Sequence, residues 1–140
     1  MAKYRPVAHE HIWRNARCAG LTETARHALL YLLTGSFTNT IGAYPIQPSV
    51  AAAEMESVNA NEFLLALTQL QARSLAYYAN GYVVVSCWFL HNTWESTLQG
   101  KVQKAAKREF QQLPPEIQVR WIDSSIAAGV PADVIQAFIG

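Results

Sequence analysis

Four cations, Lys101, Lys104, Lys107 and Arg108, recur at helical spacing within one short stretch. On a helix at about 100° per residue they share about a third of the circumference. A cluster of this kind suits phosphate oxygens; a solvated helix face is its other common use. It stands out because charge is scarce. Charged residues make up 15% of the 140-residue chain, and 11 basic against 10 acidic residues leave a net charge of +1. Proteins that grip nucleic acid usually carry a clear basic excess, so any phosphate contact here has to be local.

Other pairings offer less. Cys87 and His91 are four residues apart, the types of a thiol nucleophile and its base, with core packing of Cys87 as the competing use. His9 and His11 would align on a strand but not on a helix, and no further ligand lies nearby for a zinc site of three or four. Glu54 and Glu56, two apart on a short helix, face different ways and make no obvious acid–base pair. G-x-S-x-G, H-E-x-x-H and a glycine-rich phosphate loop are absent from the sequence. The expectation is a protein that is not an enzyme, with no catalytic residues, cofactor or metal. Cys18 and Cys87 form no CxxC and read as buried, reduced thiols. No run approaches the ~18 apolar residues of a membrane span. The start, MAKYRPVAHEHIWRNARC, has no apolar core of signal-peptide length. A cytoplasmic protein, away from membranes, is therefore expected.

The elements that would position these residues are legible in part. Pro6 interrupts early regularity, and a short helix over 10–19 would carry Ile12, Trp13 and Ala16. Thr22 caps a helix TETARHALLYLLTG that buries Ala25, Leu29, Leu32 and Leu33 and stops at Gly35. An extended piece over 42–46 comes next, with prolines that suit a sheet edge. Pro48 or Ser49 opens a small helix through Met55, and Ser57-Val58-Asn59 makes a turn. Asn59 and Glu62 then have the spacing of a capping box, and Phe63, Leu67 and Leu70 give the next helix a buried stripe. Leu75–Ala79 and Tyr82–Ser86 read as strands, joined at Asn80-Gly81 by a type I′ turn. Tyr77, Tyr78 and Tyr82 flank that turn, where exposed rings would stack on a base or pack on a partner. Residues 97–112 predict one helix with Val102, Ala105, Ala106, Phe110 and Leu113 opposite the cations. Pro114-Pro115 breaks it before a helix over 116–128 carrying Ile117, Trp121, Ile122 and Ile126, and Pro131 opens a last one.

Helix–turn–helix followed by a hairpin is the winged-helix arrangement. The expected fold is α+β: a winged helix-turn-helix with a small antiparallel β-hairpin wing and additional C-terminal helices. The expected organisation is a single domain over 1–140, with the winged-helix core at 20–90 and the helical extension at 97–140.

The stretches ARHALLYLLTGSFTNTIGAYPIQ, LQARSLAYY and NGYVVV resemble the N-terminal winged-helix domain of phage replisome-organiser and related phage replication proteins. The shared features are a helix ending in a Tyr-Leu-Leu-Thr-like run, an Asn-x-Ile-Gly-x-Tyr strand entry and a hairpin after the second motif helix, with Trp13 preceding the first. The likeness covers about residues 4–112. It implies a phage-type protein in the cytoplasm of a bacterial host, binding double-stranded DNA in replication initiation or transcriptional regulation. The second motif helix would enter the major groove and the hairpin would contact backbone.

On that implication the DNA-binding residues are Asn61, Leu65, Gln69 and Arg73 on the motif helix, with Lys101, Lys104, Lys107 and Arg108 behind it. Asn and Gln can pair with adenine edges, and leucine can meet a thymine methyl. Simple exposure of Asn61 and Gln69, and a C-terminal cap at Arg73, are the alternatives. The helix from Asn59 to Arg73 contains only Glu62 and Arg73 as charges, and Glu54 and Glu56 precede it. That weakness, with Leu65 outward, supports a second expectation: a protein–protein interaction module, such as a phage-encoded inhibitor of a host or anti-phage defence complex (anti-CRISPR-like). A standalone winged helix with no second domain after it is the accompanying expectation, and it favours the same reading. A homodimer is compatible with either.

Overall fold

The computed structural model describes residues 4–140. Glu10–Trp13 form α1, and Ala16–Cys18 make a 3-10 turn opened by the Asn15 side chain. Only Ile12 and Cys18 of this stretch are buried. The helix expected over 10–19 is therefore two short pieces, with Trp13 67% exposed and lying under the Arg26 guanidinium at 5.1 Å.

Thr22 starts α2 (Glu23–Thr34), its hydroxyl accepting the Ala25 N–H at 3.1 Å. Ala25, Ala28, Leu29, Leu32 and Leu33 are the buried face. Strand β1 (Ala43–Pro45) comes next, then α3 (Pro48–Met55), which has proline in its first turn. A proline there costs no helical hydrogen bond, because its missing N–H would have been unpaired. The chain continues through α4 (Ala60–Ala72), β2 (Tyr77–Ala79) and β3 (Tyr82–Val84).

The strands form one antiparallel sheet in the order β1-β3-β2, with Ala79 opposite Tyr82. Asn80 (φ 52°) and Gly81 (φ 80°) both take the left-handed backbone that a type I′ turn requires. Each strand is shorter than the sequence pattern suggests. At the outer edge of β1, Pro45 has no N–H and the Ala43 carbonyl accepts from the Asn39 amide at 2.7 Å. On β2, the Tyr78 N–H donates to the Gln71 side chain at 3.3 Å.

Helices α2 and α3 pack on α4, and α4 leans on β2. Trp88–His91 (α5) and Trp94–Leu98 (α6) then turn the chain back. Gly42 (φ 73°) is required here, since a Cβ would fall 2.3 Å from the Trp88 ring. That indole donates to the Thr40 carbonyl at 3.0 Å.

The single helix expected over 97–112 does not form. Helix α7 spans Gln103–Gln111, and α6 ends at Leu98. Gly100 lies between them and passes so close to α6 that a Cβ would sit 2.5 Å from the Ser96 carbonyl oxygen. The turn changes the direction of the chain, so Val102 is 43% exposed rather than buried, and Lys101 precedes the helix. Helix α8 (Pro115–Ala127) packs on β3. Its buried residues are Ile117, Trp121 and Ser125, in strict steps of four. Ser125 thus takes the inward place expected of Ile126, which is 44% exposed. Trp121 meets Phe89, Phe110 and Phe138 at 5.2–6.1 Å between ring centres and donates to the Ile41 carbonyl at 2.9 Å. Helix α9 (Ala132–Ile139) supplies Phe138 and closes the chain on this aromatic cluster. No helix among the described residues is long and apolar enough to cross a membrane.

Candidate nucleic-acid interface

The motif helix α4 begins with a reciprocal cap. Asn59 Oδ1 accepts the Glu62 N–H at 2.8 Å, and Glu62 Oε1 accepts the Asn59 N–H at 2.9 Å. Phe63, Ala66, Leu67 and Leu70 face the core. Asn61, Leu65 and Ala72 stay exposed, Leu65 by 70%.

The two polar side chains nearer the C-terminal end have other partners. Gln69 Oε1 accepts from both the N–H (3.0 Å) and the hydroxyl (3.2 Å) of Thr22. It holds the start of α2 against α4 rather than standing free beside Asn61. Arg73 is the C-cap residue. Its guanidinium donates to the carbonyls of Arg17 (3.1 Å) and Ala19, clamping the loop before α2.

That loop collects further cations. Arg17 donates to the Ser74 carbonyl at 3.4 Å, and Arg26 donates to the Cys18 carbonyl at 3.1 Å. Burial pushes the Cys18 thiol pKa up, while the positive field of Arg26, Arg73 and Arg17 pulls the other way. Among the described residues no carboxylate lies within ion-pair distance of these guanidiniums. Sequence spacing gave no hint of this cluster, because its members come from separate elements.

The lysine stripe stands elsewhere. Lys104 and Arg108 are exposed on α7, Lys107 is half-buried, and Lys101 is exposed in the preceding turn. Glu109 fixes α7 in place: its carboxylate accepts the Thr40 N–H and hydroxyl, each at 3.0 Å. Thr40 leads into β1, whereas α4 packs on β2, at the opposite edge of the sheet. The residues expected to form one DNA surface therefore divide into two groups.

The remaining chemical candidates are engaged in packing. Burial pushes the Cys87 thiol pKa up to about 12 and pulls the His91 imidazole down to about 4. His91 Nδ1 accepts the Ala8 N–H at 2.9 Å while its Nε2 is buried without a partner, and burial disfavours the charged form of both groups, which removes the charges a thiolate–imidazolium pair needs. Glu54 Oε1 accepts from Ser36 Oγ at 2.5 Å and from the Tyr31 hydroxyl, and these bonds hold its carboxyl below the usual range. The rings of Tyr77, Tyr78 and Tyr82 are half-buried, and the Arg120 guanidinium lies 4.3 Å from the Tyr77 ring centre. His9 is exposed, and His11 stands edge-on to His91 at 5.8 Å. Among the described residues no group of three or more His, Cys, Asp or Glu side chains could hold a metal ion. No family model, curated protein or solved structure matches the chain, and its functional reading rests on these residues.

Proposed function

We propose that the chain is a non-enzymatic, phage-type winged-helix protein that binds double-stranded DNA in replication initiation or transcriptional regulation, in the cytoplasm of a bacterial host. The observation that carries this reading is the open outward face of α4. With the entire C-terminal half folded, Asn61, Leu65 and Ala72 are still exposed. A helix held this way between a helical pair and a hairpin is free to enter a major groove. The helix brings almost no charge of its own. Arg17 and its neighbours at the C-terminal end of α4, or the stripe on α7, would have to supply the phosphate contacts.

Salt-titrated binding to random duplex DNA tests this. Wild-type protein should bind with an affinity that falls linearly against log salt. Replacing Lys101, Lys104, Lys107 and Arg108 together with Ala should reduce the slope by at most about 3.6, four phosphates' worth. Equal slopes would remove the stripe from the interface. Absence of salt-dependent binding by wild type would overturn the reading.

A second reading has its own observation. Leu65 is 70% exposed at the centre of the α4 face, beside a shallow groove formed with Thr22, Thr24 and Glu62. An apolar anchor next to an acidic side chain favours a protein partner, such as a host or anti-phage defence complex, over a polyanion. Leu65→Lys separates the two. It should leave DNA affinity unchanged or raised, because it adds a cation near phosphates. It should abolish docking on a protein, because a lysine would be buried without a partner there. A gel shift beside a pull-down with this variant, at unchanged melting temperature, reads the difference.

A further inference from the structure

A cleft of about 530 Å3 lies where the winged helix meets α8. That size is ordinary for a small-molecule site. Arg17 enters it from the loop before α2, Ser74 and Tyr77 from the α4–β2 connection, and Arg120 from α8. Ala76, Leu90, Ala127 and Ala128 give it apolar walls.

Its polar groups are held in advance of any ligand. The Ser74 carbonyl receives Arg17 at 3.4 Å, and the Tyr77 ring receives Arg120 at 4.3 Å. The hydroxyls of Ser124 and Ser86 meet at 3.3 Å on the wall between them. Two guanidiniums face one space, and among the described residues neither has a carboxylate within ion-pair distance. Guanidinium stays charged at every physiological pH, and its fork of N–H donors matches phosphate oxygens. Asp123 is the only acid in the lining, so two cations and one anion leave it at +1. A carboxylate is able to accept a hydrogen bond from a hydroxyl group.

We propose that this cleft binds a small phosphate monoester carrying hydroxyl groups, its phosphate between Arg17 and Arg120 and its hydroxyls toward Asp123 and the serine oxygens. Nucleoside monophosphates and sugar phosphates share this chemistry, and the apolar walls distinguish them by favouring a ligand with a flat base. The cleft shares Arg17 with the candidate DNA surface, whereas Arg120 belongs to the cleft alone, so the Arg120 variant separates the two assignments.

Isothermal titration of the full chain, without DNA, with adenosine monophosphate and with ribose phosphate tests the assignment. Wild type should bind at one saturable site, the nucleotide more tightly if the walls contribute. Arg17→Ala and Arg120→Ala should each weaken binding by about tenfold or more, as loss of a charge-assisted hydrogen bond does. Arg14→Ala, at an exposed position outside the lining, should change nothing, with all melting temperatures measured alongside. If Arg120→Ala unfolds, Arg120→Lys replaces it: charge is kept, the fork is lost, and binding should still weaken severalfold. Failure of wild type to saturate with either ligand at millimolar concentration overturns the proposal. So does binding that ignores both Arg17 and Arg120, or that falls equally with Arg14→Ala. A single-stranded oligonucleotide that binds with this arginine dependence while both small ligands fail would also overturn it, assigning the cleft to a nucleic-acid strand.

Discussion

Helices α4 and α7 have similar patterns. Each has a buried stripe and an outward polar face, and each is expected from its sequence to meet DNA. They are held by different forces. Helix α4 is fixed by polar ties at both ends: the Asn59–Glu62 cap, Gln69 on Thr22, and Arg73 on the carbonyls of Arg17 and Ala19. Helix α7 has no side-chain cap at its start and is held by Phe110 against Trp121 and by Glu109 on Thr40. Polar side chains near the C-terminal end of α4 are therefore part of the scaffold, while three of the four α7-region cations stand exposed in water. A residue's position on a helical face does not tell whether its polar group is already in use.

The sharpest way to break this comparison is Trp121→Ala. Truncating a buried tryptophan typically costs about 3–5 kcal/mol. The loss should fall on the C-terminal side, with amide exchange rising across α7–α9 before it rises in α4. Uniform acceleration throughout the chain would mean that the two helices are not held separately.

Arg73→Ala and Lys104→Ala form the next contrast. Arg73 makes two charge-assisted hydrogen bonds to backbone, so its loss should lower stability by about 1–3 kcal/mol. Lys104 is exposed and should change stability by no more than about 0.5 kcal/mol. Urea denaturation of both variants checks this, and equal effects would contradict the clamp.

The smallest contrast is within α4. Gln69→Ala should cost about 1 kcal/mol, because the Thr22 N–H loses its acceptor, whereas Asn61→Ala should be nearly silent. If Asn61→Ala weakens DNA binding with no loss of stability while Gln69→Ala lowers both, the division between reader and scaffold is sharpened.

Local signals were readable in the sequence because they involve partners a few residues apart. Asn59 with Glu62, Asn80 with Gly81, and Pro48 at a helix start all have the structure their spacing implies. The winged-helix order of elements followed from them. Two errors came from following a hydrophobic period, one of them across a break. Gly100 splits the helix expected over 97–112 because it allows close passage by Ser96, and α8 keeps a strict four-residue stripe that puts Ser125 inward and Ile126 outward. The candidate site was less legible. Gln69 meets Thr22 across 47 residues, and Arg73 meets Ala19 across 54. The gathering of Arg17, Arg26 and Arg73 depends on the same long-range packing. No spacing rule carries information over such distances.

The sheet edges have a consequence for how any partner can be met. An exposed strand edge is a ready template on which a second chain can lay a strand of its own. Here Pro45 offers no donor on one side, Asn39 occupies the neighbouring carbonyl, and Gln71 has taken the Tyr78 amide on the other. Backbone pairing is thereby discouraged at both borders. Edge-to-edge polymerisation of concentrated protein is disfavoured by the same two contacts, and side chains are left as the more accessible means of contact.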